Sequence, residues 1–134
     1  MSDLVEEVDV LVVDGANVVG SRPDGWWKDR AGAAARLHRQ LLEAVGQGLL
    51  APRVVLVLEG RARGGVPEGA TSSVVVVHAP AAGDDQIVAE VSTAVSAGGS
   101  VAVVTADREL SARVEASGGR LLRPGWLLAR LGGT

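Results

Sequence analysis

Three valine-rich runs each lead to a carboxylate at their downstream end. VDVLVVD closes on Asp14, VVVVHAPAAGDD reaches Asp84 and Asp85, and VAVVTAD reaches Asp107. Where parallel strands build an open α/β sheet, their carboxyl ends share one edge, and such folds place their sites there. Carboxylates gathered at that edge repel one another unless a positive charge lies between them. An all-oxygen donor set suits a hard divalent cation, Mg²⁺ or Mn²⁺. The chemistry these residue types point to is metal-dependent hydrolysis of a phosphodiester.

Each motif also has a plainer explanation. VDGANVVG, residues 13–20, ends a strand at Asp14, turns at Gly15 and sets Asn17 within reach of whatever Asp14 holds. A carboxylate with a carboxamide beside it suits a metal ion and a neighbouring water or phosphate oxygen; the alternative is an Asx turn closing the strand. GDDQI places Asp84 and Asp85 at a helix start, where one is expected to cap the free N–H groups and the pair exceeds what capping needs. TADREL repeats strand, hydroxyl, acid and helix, with Thr105 or Asp107 a candidate cap. Arg108 beside it can meet a phosphate or neutralise the acids. In RPDGWWKDR, Trp26, Trp27, Lys28 and Arg30 suit base stacking and phosphate binding. The tryptophans could equally lid the core, one in each role, while Asp29 caps the next helix. Glu59 ends another strand and is expected to face solvent, with a peripheral ligand as the alternative; RARGG (61–65) reads as a mobile basic loop, either merely solvated or tracking a nucleic-acid backbone; His38 and His78 receive no role.

Something has to position those acids. Strands are predicted at 8–13, 54–58, 73–78, 101–105 and 120–123. Helices are predicted at 29–47, where Ala33, Leu37, Leu41 and Val45 recur at four-residue spacing, and at 84–97, 108–117 and 124–130. The strands are apolar throughout rather than alternating, which argues a sheet covered on both faces. The segment 60–71 reads as a loop, long enough for a crossover. At 134 residues with 47% hydrophobic composition, the chain supports one core and a single domain, 1–134. It has no cysteine, which excludes disulfides, zinc–thiolate sites and cysteine nucleophiles. MSDLVEEVDV lacks the basic and apolar regions of a signal peptide, and no apolar run approaches a membrane span. A cytoplasmic location with no membrane association is expected. The net charge of −3 gives no global basic field, so nucleic-acid affinity should be modest and salt-sensitive.

VVDGANVVG, GDDQIVAEV and VAVVTADREL, in that order over most of the chain, resemble the PIN-like ribonuclease superfamily, and within it the NYN branch that includes the YacP-like bacterial proteins. The resemblance implies a three-layer α/β/α sandwich around a central, mainly parallel five-stranded sheet. It further implies a Mg²⁺- or Mn²⁺-dependent endoribonuclease in which Asp14, Asp107 and one or both of Asp84 and Asp85 hold the metal while Asn17 positions water or phosphate. The sequence departs from the family at Glu59-Gly60, where Asp-Gly is frequent.

The function expected is cleavage of single-stranded RNA by metal-activated water. Trp26 or Trp27 would stack a base; Lys28, Arg30 and Arg108 would steer phosphates, with Thr105 beside them. Two rivals share parts of the same site: a non-catalytic module binding RNA or protein, and a hydrolase of nucleoside triphosphates. A homodimer, and a ribosome-linked or other protein partner, remain open at this stage.

Overall fold

Runs with valine or leucine at nearly every position have no polar side to offer water, so they are stable only when both faces are covered. The computed structural model describes residues 8–132 and shows that outcome. Its strands are β1 (Val10–Asp14), β2 (Arg53–Leu58), β3 (Gly69–Thr71), β4 (Val74–His78), β5 (Val101–Val104) and β6 (Arg120–Leu122). They form one six-stranded sheet in the order β3-β4-β2-β1-β5-β6. Every neighbouring pair is parallel except β3 with β4. The amino-terminal segment read as lacking a signal sequence falls largely on residues 1–7, outside the described residues.

Among the described residues, five α-helices cover the sheet: α1 (Gly15–Gly20), α2 (Arg30–Gly46), α3 (Gly83–Ser96), α4 (Arg108–Ala116) and α5 (Pro124–Arg130). Alternate strand residues enter opposite cores. Leu11, Val13, Leu56 and Val104 meet Val18, Leu37, Leu41 and Leu127 on the side of α1, α2 and α5. Val12, Val55 and Val103 meet Ile87, Val91, Leu110 and Val114 on the side of α3 and α4. Each fully buried leucine or valine contributes about 1.5–3 kcal/mol relative to exposure, and a core with neither Phe nor Tyr depends on many such small increments.

The α/β architecture with a mainly parallel central sheet agrees with expectation; the strand count does not. The extra strand is β3, in the segment read wholly as loop. Its three residues are all exposed, and a strand buried on neither side leaves no hydrophobic signal. Ser72, at φ 55°, makes the tight turn that folds β3 back on β4. The connection from β2 to β4 remains a parallel crossover, without an α-helix. RARGG is also not irregular in structure. Residues Gly60–Gly65 form a 3₁₀ coil seated on α2, with Ala62 against the core and Gly65 so close to the Ala31 carbonyl that a Cβ would collide with it.

Candidate active site

Parallel pairing of β2, β1, β5 and β6 aligns their carboxyl ends, so the order of strands becomes an order of side chains along one edge. Glu59 follows β2, Asp14 ends β1, Thr105 follows β5 and Arg123 follows β6. Helix α1 starts immediately after Asp14, with Gly15 as its first residue. The expected turn is therefore a helix start. Glycine is needed there for space: a Cβ would stand 2.6 Å from the Val57 carbonyl oxygen and 2.9 Å from Leu58 Cδ2.

Asp14 is only 6% exposed. Its Oδ1 accepts from the Asn17 backbone N–H at 3.2 Å and its Oδ2 from the Thr105 hydroxyl at 2.9 Å. Burial raises its pKa above the ordinary 3.8; those two donors pull it down, and the charges of Asp84 and Glu59 push it up again. Among the described residues, no arginine or lysine pairs with it. The half-buried Asp84 is likewise raised, first by burial and then by Asp107 and Glu59, with Arg113 opposing. Asp14, Glu59, Asp84 and Asp107 thus form one electrostatically coupled group of like charges drawn from four chain-distant segments.

Two short links fix the floor of this group. The Thr105 hydroxyl also accepts from the Asp107 N–H at 3.1 Å, and Asn17 Oδ1 accepts from the Ala106 N–H at 2.8 Å. The loop after β5 is therefore clamped to α1. Asn17, expected to orient water or phosphate, spends its carbonyl oxygen on this clamp and its amide nitrogen is the part left over. Asp107 caps α4 through the Leu110 N–H at 2.9 Å, leaving its second oxygen unused by the cap.

Neither Asp84 nor Asp85 caps α3. The first N–H of that helix, from Gly83, is taken by Glu59 Oε1 at 3.0 Å. This frees Asp84, and it makes Glu59 a member of the group rather than a solvent-facing end. The signal was present in the sequence: strand, acid, glycine, the same order as at Asp14-Gly15. Asp85 turns outward, its side chain 90% exposed and paired with Arg113 on α4 at 2.9 Å, so its carboxylate is not brought to the group.

The tryptophans divide. Trp26 packs on the core with the Arg30 guanidinium 5.1 Å over its ring, while Trp27 is 58% exposed and edge-on to Trp26 at 5.9 Å. Asp29 caps α2 as expected. Trp26, Arg30, Glu59, Gly15 and Ala62 line a cavity of about 140 Å³ beside the acids. Lys28 and Arg108 are exposed. His78 ties its strand end to the Val66 carbonyl at 2.7 Å, a structural contact.

The donor set fits a hard dication by chemistry: oxygen ligands, net negative charge, and a buried carboxylate without a cationic partner among the described residues. It is an open arrangement. Among the described residues, no three His, Asp or Glu side chains converge closely enough to hold an ion by themselves. Mg²⁺ tolerates this, because it retains several waters and is usually bound through one or two carboxylates plus substrate phosphates.

No protein-family model and no curated protein matches the chain. Solved structures do. Rae1 (YacP) from Bacillus subtilis superimposes with a TM-score of 0.70 at 19% identity, covering 92% of this chain and 74% of that one. A mutant of the same protein gives 0.70 at 18% identity, over 92% and 75%. The likeness is one of fold. Among the described residues, no helix is long and apolar enough to cross a membrane.

Proposed function

We propose that this chain is a metal-dependent endoribonuclease that hydrolyses single-stranded RNA. The observation that carries the reading is the environment of Asp14, a buried carboxylate held by two neutral donors and faced by Asp84 and Glu59, with no cation among the described residues paired to it. Such an arrangement costs stability unless a dication relieves it. The ordered motifs support RNA as substrate, since the family they resemble is one of ribonucleases, and the fold shared with YacP agrees with the branch they resemble.

In this reading Asp14, with Asp84 and Asp107, would hold the ion, Glu59 adding negative charge from the β2 side. Mg²⁺ or Mn²⁺ bound there would lower the pKa of a water and neutralise charge on phosphate oxygens. Thr105 and the Asn17 backbone aim the Asp14 carboxylate, and the Asn17–Ala106 clamp keeps the loop carrying Asp107 in place. Trp26 and Arg30 line a recess where a base can stack, and exposed Trp27, Lys28 and Arg108 offer further contacts to the strand.

The test is cleavage of a labelled, unstructured oligoribonucleotide with Mn²⁺, with chelator in excess, and in parallel with a nucleoside triphosphate. Metal-dependent internal cuts are expected, with no turnover of the triphosphate. A non-catalytic binding module is the second reading, favoured by the fact that Asp14 and Asp107 both serve as helix caps. It predicts RNA binding indifferent to chelator and no cuts. Preferential triphosphate hydrolysis would favour the nucleotide hydrolase instead.

A further inference from the structure

The flank of the site beyond Thr105 is built as differently as the flank beside Trp26. Between α4, β6 and α5 lie two adjoining recesses of about 590 and 700 Å³ that share Ala106, Arg123 and the β6 residues between them. Together they form one trough that starts at Thr105, on the reaction edge, and runs past Arg123 to Trp126. Arg108 and Arg123 line it, and neither guanidinium makes a hydrogen bond or ion pair with another described residue. One acid, Glu115, also lines it. At the far end Trp126 is half-buried under the Arg130 guanidinium, 4.0 Å from its ring centre. In strand order the trough lies on the β5–β6 side of Asp14, whereas the Trp26 cavity lies on the β1–β2 side.

We propose that this trough carries the sugar–phosphate backbone of the RNA strand leading away from the scissile bond, with Arg123 the phosphate contact farthest from the carboxylates. Two unpaired guanidiniums beside an otherwise acidic edge suit successive phosphates, each presenting a planar fork of N–H donors that matches phosphate oxygens. The proposal rests on the nuclease reading for the substrate, but it has a readout of its own.

That readout is the salt dependence of binding. Fluorescence anisotropy of a labelled 12-nucleotide single-stranded RNA would be followed across a salt series in the Asp14→Asn background, which leaves the probe intact. Arg123→Ala should lower the slope of log affinity against log salt by about 0.7, the value for one phosphate contact on a single strand. Arg53→Ala, at the opposite end of the sheet, should leave the slope alone. In the parent chain, Arg123→Ala should slow cutting of the 12-mer more than cutting of a trinucleotide. An unchanged slope, or no RNA binding at low salt, overturns the proposal. A lowered slope in a chain whose parent never cuts RNA keeps the trough and removes the nuclease; cutting with an unchanged slope does the reverse.

Discussion

The two ends of the β1–β5 pair carry the same small device with opposite consequences. At the amino end, Asp9 accepts from the backbone N–H of Ser100 at 2.9 Å and from its hydroxyl at 3.3 Å. At the carboxyl end, Asp14 accepts from a backbone N–H at 3.2 Å and from the Thr105 hydroxyl at 2.9 Å. Both are aspartates that take one backbone amide and one hydroxyl, the hydroxyl crossing from the β5 segment in each case; at Asp9 the amide crosses with it, whereas at Asp14 it comes from Asn17 in α1. Asp9 is exposed, and water shares its charge. Asp14 is buried, with Asp84 and Glu59 acting on it. A hydroxyl-to-carboxylate clip is thus structural by default, and it becomes a candidate for chemistry only where burial and like charge are added.

The widest separation between the two ends should appear in activity. Asp14→Asn, which keeps the cap and the shape, should reduce RNA cleavage by about 10³-fold, the scale of several kcal/mol of lost charge stabilisation, while Asp9→Asn cuts at the parental rate. Parental cleavage by Asp14→Asn would erase the distinction. Packing should separate the ends next. A Cβ on Gly15 meets backbone at 2.6 Å, whereas one on Gly99, beside Asp9, meets nothing nearer than 3.4 Å. Gly15→Ala should therefore cost about 1–3 kcal/mol in denaturant unfolding, and Gly99→Ala little.

Stability against pH sharpens the comparison further. Because burial and like charge raise the Asp14 pKa in the folded chain, the unfolded chain ionises first as pH rises, and the ionised group then opposes folding. Asp14→Asn should accordingly raise the metal-free Tm at neutral pH, by roughly 3 °C. That gain should vanish as pH falls through the raised pKa toward 3.8. Mn²⁺ should raise the Tm of the parent and not of the variant. A Tm for Asp14→Asn below the parent's at neutral pH would mean that the carboxylate is there for the fold. The smallest effect belongs to Ser100→Ala, which removes only the hydroxyl half of a partly exposed clip and should cost about 0.5–1 kcal/mol with no change in cleavage.

How much of this could be read from residues alone follows from how far each signal reaches along the chain. The apolar strands and the period of α2 were legible because burial on both faces, or on one helical stripe, imprints a local pattern. Asp14, Asp84 and Asp107 stood out for the same reason: each lies where a strand gives way to a helix. What could not be read depended on the neighbour across the sheet. Glu59 takes the Gly83 N–H from 24 positions away, so the cap expected of Asp84 or Asp85 comes from another segment. Asp85 is drawn outward by Arg113, an interaction of two helices packed side by side. Asn17, expected to position water or phosphate, makes a clamp that was not legible because its partner, the Ala106 N–H, is 89 positions away. Strand β3, short and exposed, left no periodic trace.

The clip on Asp14 also settles an inventory of electron pairs. Each carboxylate oxygen has two lone pairs, and the fold engages one on Oδ1 and one on Oδ2. One remains on each atom, with the plane of the carboxylate already set before any ligand arrives. An incoming cation would find its first ligand preorganised, so coordination would require no rotamer search and would spend none of its binding energy on orienting that side chain.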